Sequence, residues 1–195
     1  MIQRVKSSPQ KSIGSVRIIS GLHKGRKLPV LNKEGLRPTT DRVKETLFNW
    51  LMFDIRDSLC LDLFAGSGSL GFEAYSRGAK NVTMCELEKE TYNSLLNCKK
   101  LLGNPSNLDI KNCDSLKFLK TNSVKYDVIF LDPPFRKDIL QEVFPLLTEF
   151  ATHKDTLVYV EQEIENELIT PPSSFELYKE GKAGQVCYKL YKVNM

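Results

Sequence analysis

From Ser58 onward the chain alternates short apolar runs with longer stretches of helical periodicity, and this alternation restricts the fold more than any other feature. Strand-like runs cover residues 59–64, 81–86, 108–112, 126–132 and 156–161. Helical stretches lie between them, near residues 69–77, 88–102, 114–120 and 138–150. Such repetition predicts an α/β protein with a doubly wound, mostly parallel Rossmann-like sheet. The tail departs from it. Residues 175–179 and 186–193 flank Gly181 and Gly184 and predict two strands joined by a glycine turn, an antiparallel edge on the parallel sheet. Sheets of this class bind ligands beyond the carboxyl ends of their strands.

One strand end is distinctive. Behind the apolar run Val128-Ile129-Phe130-Leu131 comes Asp132-Pro133-Pro134-Phe135. Proline cannot donate to a ladder and restricts the residue before it, so this turn is expected to be stiff and extended. A carboxylate, backbone carbonyls and an aromatic face on a stiff turn suit a planar group bearing an amine. The competing reading is a strand-terminating turn with a hydrophobic plug.

The first strand of the series runs into Asp62-Leu63-Phe64-Ala65-Gly66-Ser67-Gly68-Ser69-Leu70-Gly71, a strand, a tight turn and a helix start. Gly66 and Gly68 are expected to let backbone approach a ligand, and amides at the helix start favour a carboxylate or phosphate. Gly66, Gly68 and Gly71 also satisfy GxGxxG, so a nicotinamide-dependent oxidoreductase is a competing class. Glu86, ending the next strand, suits ribose hydroxyls in either case. Asp62 and Asp114 turn the reading towards S-adenosyl-L-methionine. Asp62 is expected to organise the turn and a cationic ligand. Asp114 suits the exocyclic amine of an adenine, and equally a helix N-cap. The expected cofactor loop thus comprises Asp62, Phe64, Gly66, Ser67 and Gly68, with Glu86 and Asp114 beyond it.

Charge is unevenly spread. Residues 1–45 hold eleven Lys and Arg against three acids (Glu34, Asp41, Glu45), leaving 17 of the 28 basic and 21 of the 24 acidic residues for the rest. A basic arm on a mildly acidic body predicts a polyanionic partner. Val16, Ile18 and Leu22, then Leu28 and Val30, read as a hairpin carrying Lys24, Arg26 and Lys27 at its turn. Thr39-Thr40-Asp41 supplies candidate caps for a helix with Val43, Leu47, Trp50 and Leu51 on one face and Arg42, Lys44 and Glu45 on another. Three regions follow: a polar stretch over 1–14, a hairpin and helix over 15–55, and a cofactor-binding domain over 56–195. No apolar run is long enough to span a bilayer, and the first residues lack an apolar signal core. Five scattered cysteines without CxxC spacing point to free thiols in a reducing cytoplasm, and His23 and His153 are too few and too far apart for a zinc site. A monomer without metal is expected.

Taken together, four stretches resemble the bacterial methyltransferases that modify the exocyclic N2 amine of a guanine in 16S ribosomal RNA. They are Arg17-Ile18-Ile19-Ser20-Gly21 with Gly25-Arg26-Lys27-Leu28; the run from Leu36 to Leu51 that begins Leu36-Arg37-Pro38-Thr39-Thr40-Asp41; the glycine loop; and Asp132-Pro133-Pro134-Phe135 with Arg136. Ala183-Gly184-Gln185-Val186 adds to them, and the likeness covers about residues 15–192. The tetrapeptide alone would fit adenine-N6 enzymes as well; the order of the motifs narrows the family. Ser20 stands where the family more often has Gly or Ala.

The resemblance implies that S-adenosyl-L-methionine is the methyl donor and that Asp132, Pro133, Pro134 and Phe135 hold a flipped guanine. It implies that Arg37 and Thr39 fold over the bound nucleoside, a phosphate contact being the alternative for Arg37. Arg17, Lys24, Arg26, Lys27, Arg136 and Lys137 are the expected RNA contacts. The implied partner is 16S rRNA within an assembled or assembling small ribosomal subunit.

Overall fold

Val128, Ile129, Phe130 and Leu131 are all fully buried, as expected of a strand covered on both faces. They form β6 (Val128–Leu131) in a computed structural model that describes residues 13–31, 40–134, 139–164 and 170–194. Five strands run parallel: β3 (Leu59–Asp62), β4 (Asn81–Glu86), β5 (Leu108–Asn112), β6 and β7 (Leu157–Glu163). The C-terminal pair, β8 (Phe175–Ala183) and β9 (Val186–Val193), is antiparallel, and β9 lies between β7 and the edge strand β8. The order is β5-β4-β3-β6-β7-β9-β8, the doubly wound sheet with the antiparallel edge expected from the sequence.

Helices cover both faces and divide the core in two. α1 (Asp41–Trp50), α2 (Ser69–Ser76) and α3 (Lys89–Leu101) pack on one face, where Phe48, Phe72, Leu95 and Tyr159 belong to one cluster. α4 (Ser115–Thr121) and α5 (Ile139–Phe150) cover the other, with Leu61, Leu63, Leu119, Phe144 and Tyr191. Aromatic contacts fasten α1 to the sheet: Phe48 meets Phe130 at 5.8 Å and Trp50 meets Tyr188 at 5.5 Å between ring centroids. Thr40 caps α1, its Oγ1 accepting from Val43 N at 3.4 Å.

The N-terminal hairpin pairs β1 (Ile13–Arg17) with β2 (Lys27–Leu31), and the chain between them docks on α2. Glu73 is fully buried, and its carboxylate accepts from Ile19 N (2.7 Å), Ser20 N (3.0 Å) and Arg77 Nε (2.7 Å). Ser76 Oγ donates to Ser20 O at 2.6 Å and accepts from His23 N at 2.9 Å, while Ser76 O accepts from Leu22 N at 2.7 Å.

Two sequence expectations are corrected here. Lys44 does not lie on a solvent face of α1; it is 1% exposed, and its Nζ donates to Arg17 O at 2.6 Å. Burial lowers its pKa, with the Glu73 and Asp41 carboxylates opposing that shift. The long stem lets an apolar body sit in the core while the ammonium reaches a carbonyl. Leu22 is not a strand residue but a turn residue, 79% exposed, because the ladder ends at the Arg17–Lys27 pair.

Gly21 is the tightest point of this docking. Its φ is +81°, and an added Cβ would stand 1.8 Å from Ser76 O. Gly21→Ala is expected to cost about 2 kcal/mol or more, the left-handed backbone alone contributing about 1–2. Urea unfolding measures this, and an unchanged midpoint would contradict the docking of the hairpin on α2.

Candidate active site at the switch point of the sheet

The sheet reverses its winding between β3 and β6: β4 and β5 follow β3 to one side, and β6 and β7 lie on the other. Such a reversal opens a crevice at the carboxyl ends of the strands. Two loops rise beside each other there, residues 63–68 and Asp132-Pro133-Pro134. Leu63 N donates to Phe130 O at 3.1 Å, continuing the β3–β6 pairing up to the loops. Their roots are therefore one strand spacing apart, about 4.8 Å.

Hydrogen bonds tie the neighbouring strand tips to the same place. Glu86, ending β4, accepts from Gly66 N at 3.0 Å through Oε2 and from Glu88 N at 2.7 Å through Oε1. Partial burial raises the Glu86 pKa, and these amides work against the shift. Cys113 N donates to Glu86 O at 3.1 Å, and Ser115 Oγ donates to Leu63 O at 2.7 Å. Asp114 caps α4, its Oδ1 accepting from Lys117 N at 2.9 Å. That leaves Oδ2 outside the cap.

Asp62 is 2% exposed and lies beneath the loop. Its Oδ2 accepts from Gly71 N at 3.0 Å, and Phe64 N donates to it as well. Of the two tasks read from the sequence, the structure places this carboxyl at the first, organising the turn. Burial pushes its pKa up to about 7. Gly68 is also held by packing. Its amide donates to Ala65 O at 2.6 Å, and an added Cβ would fall 2.3 Å from the Phe72 ring and 2.8 Å from Leu95. Packing of α2 on the core demands a glycine here. Gly66, at φ +49°, directs its amide to Glu86. Ser67 is buried, and Phe64 is half-buried against the second core cluster.

Ser69, which sequence reasoning passed over, opens α2 with its Oγ buried and without a hydrogen-bond partner among the described residues. Burying a hydroxyl unpaired costs about 1–3 kcal/mol. Beside the first amides of a helix it suits the carboxylate of a ligand. Ser69 for a carboxylate, Glu86 for a ribose and Asp114 for an amine form a set that fits S-adenosyl-L-methionine. Among the described residues, no group of three or more His, Cys, Asp or Glu is placed to hold a metal ion.

Asp132 and Pro133 are half-buried and Pro134 is exposed. Leu131 pairs with Val160, which sets Glu161 beside Asp132 on the next strand. Glu161 is half-buried and accepts from Tyr159 Oη at 2.9 Å. Burial, then the Glu161 and Asp132 carboxylates, hold the Tyr159 phenol well above its usual pKa. Phe135, Arg136, Lys137, Arg37 and Thr39 lie outside the described residues.

Of the described cations read as RNA contacts, Lys24, Arg26 and Lys27 lie on the hairpin that docks at the far end of α2. Arg17 Nε lies 3.6 Å from Asp41 Oδ2, and Lys24 and Lys27 are exposed. Arg26 Nη1 donates to Leu101 O at 2.6 Å, at the end of α3. The hairpin turn docks at Ser76, the last of the eight residues of α2, so it sits about 12 Å along that helix from the glycine loop.

Residues 16–192 match the model of a family described as conserved hypothetical protein 95. The chain is 54% identical over 183 residues to ribosomal RNA small subunit methyltransferase D of Haemophilus influenzae, covering 92% of this chain and 94% of that protein. The solved structure of yhhF, a proposed methyltransferase of Escherichia coli, superposes with a TM-score of 0.86 at 42% identity, covering 93% of this chain and 99% of the other. A proposed methyltransferase solved in complex with SAH shares the fold alone, with a TM-score of 0.70 at 14% identity over 96% of this chain and 57% of the other.

The buried Asp62 makes a pH prediction. Its carboxyl holds a proton in the folded chain up to about pH 7, whereas the unfolded chain releases it near 3.8. Folding stability from this group is therefore full below pH 3.8 and falls as the pH rises towards 7. Asp62→Asn is expected to shrink the loss of stability between pH 5 and pH 8 seen by urea unfolding. An equal loss in both proteins would contradict the buried carboxyl.

Proposed function

The chain belongs to the family of ribosomal RNA small subunit methyltransferase D, and from that premise we propose that it methylates the exocyclic N2 amine of a guanine in 16S rRNA. The observation that carries the reading is the juxtaposition of Asp132-Pro133-Pro134 with the glycine loop across the β3–β6 pair. An oxidoreductase would use Glu86 and the glycines and leave that turn without a task.

Ser69, the amides opening α2, Glu86 and Asp114 would hold S-adenosyl-L-methionine, with Arg37 and Thr39 folding over it. When bound, this cofactor supplies a methyl group on a sulfonium, ready for displacement. The chain's own task is to make a poor nucleophile attack. The lone pair of guanine N2 is delocalised into the purine. Hydrogen bonds from the amine to the Asp132 carboxylate and the Pro133 carbonyl orient it and draw the lone pair out of conjugation. Positive charge then developing on nitrogen is offset by Asp132, and the surplus N2 proton passes to water. Positioning of this kind supplies roughly 7–11 kcal/mol in favourable cases, and preorganised charge adds to it. Phe135 stacks on the base, worth about 1–3 kcal/mol by comparison with other base–aromatic stacks. A stacked base cannot enter such a turn, so the target is unpaired or flipped. The substrate is 16S rRNA in an assembled or assembling small subunit.

Nucleoside mass spectrometry of small-subunit RNA, treated with the protein and labelled cofactor, tests this. N2-methylguanosine is the expected product. N6-methyladenosine in its place would move the protein to the adenine enzymes. Asp132→Ala is expected to bind S-adenosylhomocysteine as the parent does and to lose at least a hundredfold in methyl transfer, taking about 10²–10³ as the loss on removing one electrostatic stabiliser. Normal turnover would remove Asp132 from the mechanism.

A further inference from the structure

The hairpin turn and the last turn of α3 form one basic surface, away from the strand tips. Arg26 joins them through its 2.6 Å hydrogen bond to Leu101 O, and Cys98 Sγ donates to Pro29 O at 3.2 Å one helical turn away. Around this junction stand Lys24, Arg26 and Lys27 from the hairpin and Lys99 and Lys100 from α3. Lys24, Arg26, Lys27 and Lys100 are exposed and Lys99 is half-exposed. Among the described residues none of the five is ion-paired. Lysines at a helix C-terminus are favoured by the helix dipole whatever the function. That does not account for three further cations brought against them from a separate element.

The surface is rigid, unlike a charged tail. Glu73 receives the amides of Ile19 and Ser20, Ser76 holds Ser20, Leu22 and His23, and Gly21 lies too close to Ser76 to admit a side chain. A fixed backbone removes the ordering cost of a flexible tail, leaving only that of the exposed lysine side chains. Distance then decides what they can bind. α3 has 13 residues and runs from the strand tips to this surface, a length of about 20 Å. At about 3.4 Å per phosphate along a stacked strand, that is roughly six nucleotides. A target nucleotide and its immediate neighbours do not extend so far.

We propose that the surface formed by Lys24, Arg26, Lys27, Lys99 and Lys100 grips the phosphate backbone of a helical RNA segment beyond the target nucleotide, so that the substrate is a structured RNA rather than a short single strand. This rests on the reading of the switch-point crevice as an RNA methyl-transfer site. Backbone contacts of this kind position the RNA without reading its sequence.

Fluorescence anisotropy with two labelled RNAs tests it: a guanine-bearing loop alone, and the same loop on a stem of ten base pairs. The parent protein is expected to bind the stem-loop at least tenfold more tightly. Lys99→Gln/Lys100→Gln is expected to remove most of that advantage and to lower the slope of log affinity against log salt by about 2, at roughly 0.9 per phosphate contact. S-adenosylhomocysteine affinity reports that the fold is intact. An undiminished stem advantage in the double variant would overturn the surface. So would competition by polyglutamate as effective as by duplex RNA at equal charge, which would make the partner an acidic protein. Failure of the parent to bind S-adenosylhomocysteine would instead count against the methyl-transfer reading itself.

Discussion

Everything in the crevice depends on the parallel pairing of β3 with β6. It sets Asp62 opposite Phe130, carries a last hydrogen bond from Leu63 N to Phe130 O, and brings together two loops separated by about as many residues as a small domain contains. Burial on both faces fixes the register, because a slip of one residue would turn every side chain of Val128–Leu131 to the opposite core. The neighbouring tips are then joined across strands by Glu86 to Gly66, Cys113 to Glu86 and Ser115 to Leu63. The ends of β3, β4 and β5 are thus tied to one another by hydrogen bonds within the chain.

A second constraint sits on the same helix. α2 begins at the glycine loop and ends at Ser76, where the N-terminal hairpin docks. Glu73 is a buried carboxylate offset by two backbone amides and the Arg77 guanidinium, which in turn stands 4.9 Å over the Phe48 ring. Removing one partner of such a buried cluster strands the others. The arrangement makes one rigid element serve two surfaces, a crevice end lined by carboxylates and a cationic end.

The parallel sheet was legible because its strands are apolar runs of the right length between helical stretches, and the glycine turn at the tail announced the antiparallel edge. Asp114 could be read as a cap and Thr40 as another, since capping is a local pattern. What escaped the sequence was tertiary. Lys44 is of a residue type usually found at the surface, and the Arg17 carbonyl with the nearby Asp41 and Glu73 carboxylates explains its burial. Gly68 matches a ligand-approach motif, and its second demand, the crowding of a Cβ by Phe72 and Leu95, is set by tertiary packing. Glu73 and Ser69 carried no motif, because one acts on a hairpin more than fifty residues upstream and the other is conspicuous only as an unpaired buried hydroxyl. The basic turn was rightly placed on a hairpin, but its distance from the crevice follows from α2, which no local pattern reports.

The central claim is that these strand tips form an S-adenosyl-L-methionine pocket built around Glu86. Isothermal titration of the parent and of Glu86→Ala with S-adenosylhomocysteine and with NAD tests it most directly. The account predicts S-adenosylhomocysteine binding by the parent, at least tenfold weaker binding by Glu86→Ala, about 1.4 kcal/mol or more, and no heat with NAD. Binding of NAD with none of S-adenosylhomocysteine would contradict it.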